Sequence, residues 1–337
     1  MHVRVTTYPG NVPASASPRQ ISRSLAAYLC GTHSGLLSLR RRDRLHVEEI
    51  TRAHTHLPPA ENALSRIGAH QWKPVESTAD LARSLRASLE RPGVADLVLF
   101  GSQAGGDLTG FSDVDALLVI EDDIAESPGA LRALRPHVLA AQRAVIAYQP
   151  MQHHAFEVAT PKLLAKANES LGMPAVAFDG ARSLLGVGAE ASFFPEPTEH
   201  TRGRLTQLLD GLSSVDAWPR HPWRLHGLVA MWELTPALYV QTFDQSVPKA
   251  LSFERARDDF GDAWWPYDVL EQVREQWVRS SQPMFVATSR ALRNPWIAVA
   301  AWVRMPVTGR QPARSLLSDD CLTALRGLAR EMTERAS

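Results

Sequence analysis

The stretch LFGSQAGGDLTGFSDVDALLVI, residues 99–120, constrains this chain more than any other. The apolar runs at its two ends read as strands, and the turn between them opens with Gly101-Ser102. Asp113 and Asp115 stand two apart at the start of the second run, so on a strand both side chains leave the same face. Two carboxylates side by side repel unless a cation neutralises them. Mg²⁺ is the expected cation, because hard oxygen ligands and bound phosphates suit it. Glycine lets the backbone turn sharply after the first strand, where successive N–H groups can cradle phosphate oxygens. The hydroxyl of Ser102 is a further donor there, and Ser112 sits where the turn meets the carboxylates. A β-hairpin with a flexible Gly-rich loop and solvent-facing aspartates would explain either half alone. The two halves together, between two strands, favour a phosphate and metal site.

The surroundings are those of a globular protein. The 337 residues are 45% hydrophobic and 21% charged, enough chain for two or three domains with a sizeable core. Lys+Arg and Asp+Glu balance at 36 each, so no overall field draws the chain to nucleic acid or to an anionic membrane. Cys30 and Cys321 form neither a disulfide framework nor a metal cluster, which fits a reducing cytoplasm. The opening MHVRVTTYPGNVPASASP lacks the apolar region of a secretory signal. The apolar run Trp296–Met305 is too short to span a bilayer and reads as a buried helix.

Residues 1–18 read as an extended arm, followed to about residue 68 by short helices with the basic run RRRDR, 40–44, as a solvated face or loop between them. Phosphate-backbone contact is the sharper alternative for that run. Ser77 or Thr78 caps a helix carrying Leu81, Leu85 and Leu89 on one side, ended by Arg91-Pro92-Gly93. Strands follow over 96–100 and 113–120, then a helix over 128–139, a strand near 145–148 and an extended stretch over 153–160. Pro161 opens the next helix. Residues 175–185, with Asp179-Gly180 in the middle, read as a tight hairpin. Eight of the nine tryptophans lie from Trp218 onward and mark a separate helical core. The expected divisions are 1–76 (arm and short helices), 77–200 (the domain carrying the motif) and 201–337 (a helical domain).

The motif resembles the signature of the nucleotidyltransferase superfamily related to DNA polymerase β, in which Gly-Ser follows a strand and Asp-x-Asp lies on the next. GSQAGGD at 101–107 and SDVD at 112–115 fit the form found in the small bacterial branch, which includes aminoglycoside-modifying enzymes. The resemblance covers roughly residues 80–190, with a looser echo in the helical C-terminus. It implies an α+β fold: a small mixed β-sheet with flanking helices, followed by a helical substrate-side domain. It also implies that Gly101 and Ser102, with Ser112 beside them, bind a nucleoside triphosphate, and that Asp113 and Asp115 bind Mg²⁺.

Two positions depart from the pattern. Gln103 stands where many relatives have arginine. The third carboxylate, expected before a Thr/Ser-Pro helix start, is not an aspartate in MQHHAFEVATPKLL, 151–164. Alternation puts His153, Ala155 and Glu157 on one face, and His154, Phe156 and Val158 on the other. Glu157 could complete the carboxylate set. His153 or His154 could instead be a base or metal ligand, since imidazole titrates near neutral pH. Histidines lining a strand end beside a surface glutamate are the plain alternative. A bulge near Gln152 would exchange the two histidines.

In the C-terminal half, a lysine ahead of a helix reaches the triphosphate in such enzymes, and Lys249 is the candidate. A solvated lysine before a Ser252 N-cap is the alternative. Phe253, Phe260, Trp264, Trp265 and Trp277 read as helix core, and His221, His226 and Glu233 lack metal-ligand spacing. The chain is therefore expected to be an enzyme that transfers a nucleoside monophosphate from an NTP, with ATP favoured, to a hydroxyl of a small molecule or protein, releasing pyrophosphate. A catalytically degenerate, antitoxin-like binding module is the alternative from another class. Transfer to an RNA end would want a basic groove that a neutral chain does not advertise.

Overall fold

The computed structural model describes residues 16–30, 39–59, 65–105, 109–149, 152, 154–194, 197–278 and 311–336. The arm expected at 1–18 lies outside them up to residue 15, as does the helix expected over Trp296–Met305.

Ser17 caps the first helix, α1 (Pro18–Leu29), in a closed capping box: its hydroxyl accepts from the Gln20 N–H at 3.3 Å, and Gln20 Oε1 accepts from the Ser17 N–H at 2.8 Å. The basic run 40–44 does not separate helices but lies inside α2 (Leu39–Thr55). Arginine is a good helix former, and no glycine or proline interrupts this segment.

After the short strands β1 (Ser65–Ile67) and β2 (His70–Gln71) comes α3 (Ala79–Leu89), with Leu81, Leu85 and Leu89 buried as expected. Then follow β3 (Val94–Phe100), the single turn α4 (Ser102–Gly105), β4 (Asp115–Ile120) and α5 (Asp122–Ala125). The strand expected near 145–148 does not form, because α6 runs unbroken over Pro128–Tyr148. Its buried stripe, Leu131, Leu134, Val138, Ala141 and Val145, keeps helical spacing past Leu139, and that packing overrides the β-branched pair Val145-Ile146.

The last part of this region is β5 (Glu157–Ala159), α7 (Pro161–Leu164), α8 (Ala167–Leu171), β6 (Arg182–Ser183) and β7 (Ala189–Ala191). The hairpin expected over 175–185 is absent: Ala175–Phe178 forms a 3₁₀ turn, and β6 pairs with β2 and β3 instead. The buried Asp96 carboxylate holds the chain after β6 by accepting from the Ser183 hydroxyl and the N–H groups of Leu185, Val187 and Gly188.

These strands build a mixed sheet in the order β2-β6-β3-β4-β5, beside a separate antiparallel pair of β1 and β7. The two motif strands are antiparallel neighbours with Phe100 opposite Asp115, and β4 pairs parallel with β5. Strand β5 is an edge, and α1 covers it: the Ser22 hydroxyl donates to the Val158 carbonyl at 2.7 Å. One hydrophobic core runs from Ile21 to Ala191, so the two N-terminal helices pack with the sheet.

A second core gathers α9 (Thr198–Ser213), α10 (Pro222–Gln241), α11 (Lys249–Phe260), α12 (Trp265–Glu275) and α13 (Asp319–Ala336). Trp232, Trp264 and Tyr267 are fully buried in it, whereas Trp265, expected in the core, is 43% exposed. Trp265 is the first residue of α12 and faces away from the stripe of Tyr267, Leu270 and Val273. Ser252 does not cap α11: the N-cap position is Pro248, which makes no side-chain capping bond, and the buried Ser252 hydroxyl donates back to the Pro248 carbonyl. Among the described residues, no helix is long and apolar enough to cross a membrane.

Candidate active site

The chain leaves β3 through Gly101, which has φ +64°. A Cβ there would lie 2.6 Å from Asp115 Oδ2, so a side chain is excluded both by the backbone and by the carboxylate packed against it. Ser102 follows as the first residue of α4, and the N–H of Ala104 bonds back to the Gly101 carbonyl at 3.1 Å. The Gly-Ser turn and the second aspartate are thus in contact through the β3–β4 pairing.

Asp113 reaches the same place by another route. It was expected on the strand, but β4 starts at Asp115 and Asp113 belongs to the loop before it. Side chains rather than a pleat shape that loop. Gln149 Nε2 donates to the Ser112 carbonyl at 2.6 Å and to the Gly110 carbonyl at 3.3 Å. Gln152 clasps Val114 at both ends, accepting from its N–H at 2.9 Å and donating to its carbonyl at 3.1 Å. The Ser112 hydroxyl accepts from the Thr109 N–H at 3.1 Å and turns inward, closing the loop. His226 Nε2, from α10, meets the Phe111 carbonyl at 2.9 Å and lies 3.8 Å from Asp113 Oδ1.

The two aspartates converge on His154, whose Nε2 is 3.1 Å from Asp115 Oδ1 and 3.7 Å from Asp113 Oδ2. Its Nδ1 lies 3.2 Å from the Ala155 carbonyl, which can only accept, and 3.2 Å from Gln152 Nε2, which can only donate. Burial works against charge on this ring. The hydrogen bond and charge of Asp115, with Asp113 behind it, outweigh burial and raise the pKa to about 9. Near neutral pH the pair is therefore neutralised in part by an imidazolium. This differs from the alternation read over 153–160, which turned His154 to the other face. The strand begins only at Glu157, and a bend at His154 precedes it, so no pleat governs the histidine. His153 lies outside the described residues.

Glu157 sits opposite Leu117 in the parallel ladder, on the face that Asp115 also uses. Burial lifts its carboxyl above the usual range, although His154, Arg23 and Arg19 act in the other direction. The two arginines show that α1 borders this side of the site. Lys249 opens α11 and acts on the buried Glu233, which also pairs with Arg274 Nε at 3.1 Å. Glu233 lies seven residues beyond His226 on α10, roughly 10 Å along the axis, so the structure groups Lys249 with that pair rather than with the aspartates.

Three residues without a site role in the sequence reading, Gln149, Gln152 and His226, hold the loop. The glutamines were visible only as polar residues flanking Pro150-Met151, and His226 as a single imidazole in an apolar helix. Among the described residues, no three His, Cys, Asp or Glu side chains are spaced to hold a metal ion.

No curated protein and no solved structure shows a significant match to the chain. Residues 82–147, from α3 nearly to the end of α6, match the family model of the nucleotidyltransferase domain, which supports the superfamily that the Gly-Ser and Asp-x-Asp motif resembles.

Proposed function

We propose that the chain transfers a nucleoside monophosphate from an NTP, with ATP favoured, to a hydroxyl of a small molecule or protein. The observation that supports this is the convergence of Asp113 and Asp115 on one point beside the Gly101-Ser102 turn. The hydroxyl oxygen forms the new bond to the α-phosphorus, the bond from that phosphorus to the bridging oxygen breaks, and pyrophosphate leaves. Gly101 and Ser102 would hold the triphosphate. Glu157, on the face that Asp115 uses, would receive the hydroxyl proton, and burial makes its carboxylate more basic than an exposed one. Residues 201–337 would form the acceptor side; Lys249, expected to reach the triphosphate, lies instead with Glu233 and Arg274.

The donor set fits a hard divalent cation: two carboxylates face one position, which the His154 side chain occupies in place of a cation. Asp113 and Asp115 would hold Mg²⁺ there, and the ion would polarise the phosphate and the attacking hydroxyl. The same imidazolium favours a second reading, a binding module in which the histidine keeps its place between the carboxylates and no cation enters.

Incubating the protein with α-labelled ATP, Mg²⁺ and pools of metabolites, proteins and tRNA separates the two. Transfer of label to a metabolite or protein is expected, with Asp113→Asn and Asp115→Asn each lowering it roughly a hundred- to a thousand-fold. No transfer, together with no Mn²⁺-dependent ATP binding, would leave the binding module. Near-normal transfer by either variant would remove these aspartates from the chemistry.

A further inference from the structure

We propose that His226 is a positioning residue that reaches out of the second core and fixes the loop carrying Asp113; its effect on turnover rests on the function proposed above. A carbonyl oxygen only accepts, so the 2.9 Å contact with Phe111 requires His226 Nε2 to carry the hydrogen and donate it. The same N–H lies 3.8 Å from Asp113 Oδ1. The ring also stacks on Phe111, with centroids 4.0 Å apart and 26° between planes, and the edge of Trp277 closes on both.

Phe111 belongs to the second core although its neighbours from Val114 onward belong to the first. The loop is therefore gripped from two sides: by Gln149 and Gln152 from the sheet side, and by His226 from the helical side. His226 is 2% exposed, and a phenylalanine would fill such a place as well as a histidine does. What imidazole adds is one donor aimed at the loop backbone, next to the carboxylate that must meet Asp115. Through it, the helical region sets the position of an aspartate in the sheet region.

Three variants of the full chain separate the donor from the packing: His226→Phe keeps an aromatic ring without the donor, His226→Gln keeps an N–H donor, and His226→Ala keeps neither. Amide hydrogen exchange over residues 109–114 reads the grip without reference to activity. Exchange should quicken in the Phe and Ala variants and stay near wild type in Gln. Turnover should fall in the same order, roughly ten- to a hundred-fold for Phe and Ala, with most of it restored by Gln and ATP affinity little changed. Unaltered exchange in His226→Ala and His226→Phe overturns the proposal. So does faster exchange with normal transfer, provided Asp113→Asn abolishes transfer. If Asp113→Asn itself transfers normally, the proposed function fails instead, and the exchange data still decide whether His226 holds the loop.

Discussion

The two sides of the site are built in opposite ways. On one side, β3 and β4 form a regular antiparallel ladder, and the Gly101 turn lies directly against Asp115, one register position away. On the other side, the described residues Gln152 and 154–156 form no ladder before the three residues of β5. Period-two alternation is a property of a paired, pleated strand. It therefore places side chains correctly along β4 and fails at His154, where hydrogen bonds from individual side chains set the direction. A ladder is cooperative and tolerant, whereas a loop clasped by single amides depends on each of them.

That contrast predicts where substitutions cost most. Gln152→Ala should be the more damaging to stability, because it strips partners from both the N–H and the carbonyl of buried Val114. An unsatisfied buried backbone group costs about 1–3 kcal/mol, so a loss of about 2–6 kcal/mol for the two is expected in urea unfolding. A loss near zero would mean that the loop is held without the clasp. Gly101→Ala comes next: a left-handed backbone costs a non-glycine residue about 1–2 kcal/mol. The added methyl must also displace Asp115, so transfer should fall further than the stability loss explains. Wild-type transfer by this variant would show that Asp115 tolerates a shift away from its packing against Gly101.

The same contrast explains what could be read in advance. The Gly-Ser turn, the neighbouring strands and the helix starting at Pro161 follow from local chemistry: glycine's positive φ, apolar runs and proline in a first turn. The α+β class came with the resemblance of the motif. The helical extent of α6 depended on a buried stripe whose partner surface cannot be seen in a single chain of letters. The pairing of β6 with β2 and β3 joins residues far apart in sequence and replaced a hairpin that local turn chemistry favoured. His226 was legible only as a polar residue in an apolar helix. Its partner, the Phe111 carbonyl, is 115 residues away and has no side-chain signature.

The smallest expected effect on stability tests the irregular side most sharply. His154 is one-third exposed, and its pairing with Asp115 and Asp113 is screened accordingly. His154→Ala should therefore cost less than about 1 kcal/mol in the absence of divalent cations. Its effect on cation binding should have the opposite sign to a ligand deletion. An imidazolium between the carboxylates must give way before a divalent cation can take the same position. Removing it withdraws the competitor and restores the repulsion that a cation relieves. Mn²⁺ affinity in the presence of ATP should then tighten by about ten-fold, equivalent to ~1.4 kcal/mol. Asp113→Asn and Asp115→Asn should weaken it, and the double variants with His154→Ala should lose the gain. Electron paramagnetic resonance of free Mn²⁺ measures all of these directly. Weaker binding by His154→Ala would make the histidine a ligand rather than a competitor, and the two sides of the site would then hold the cation jointly.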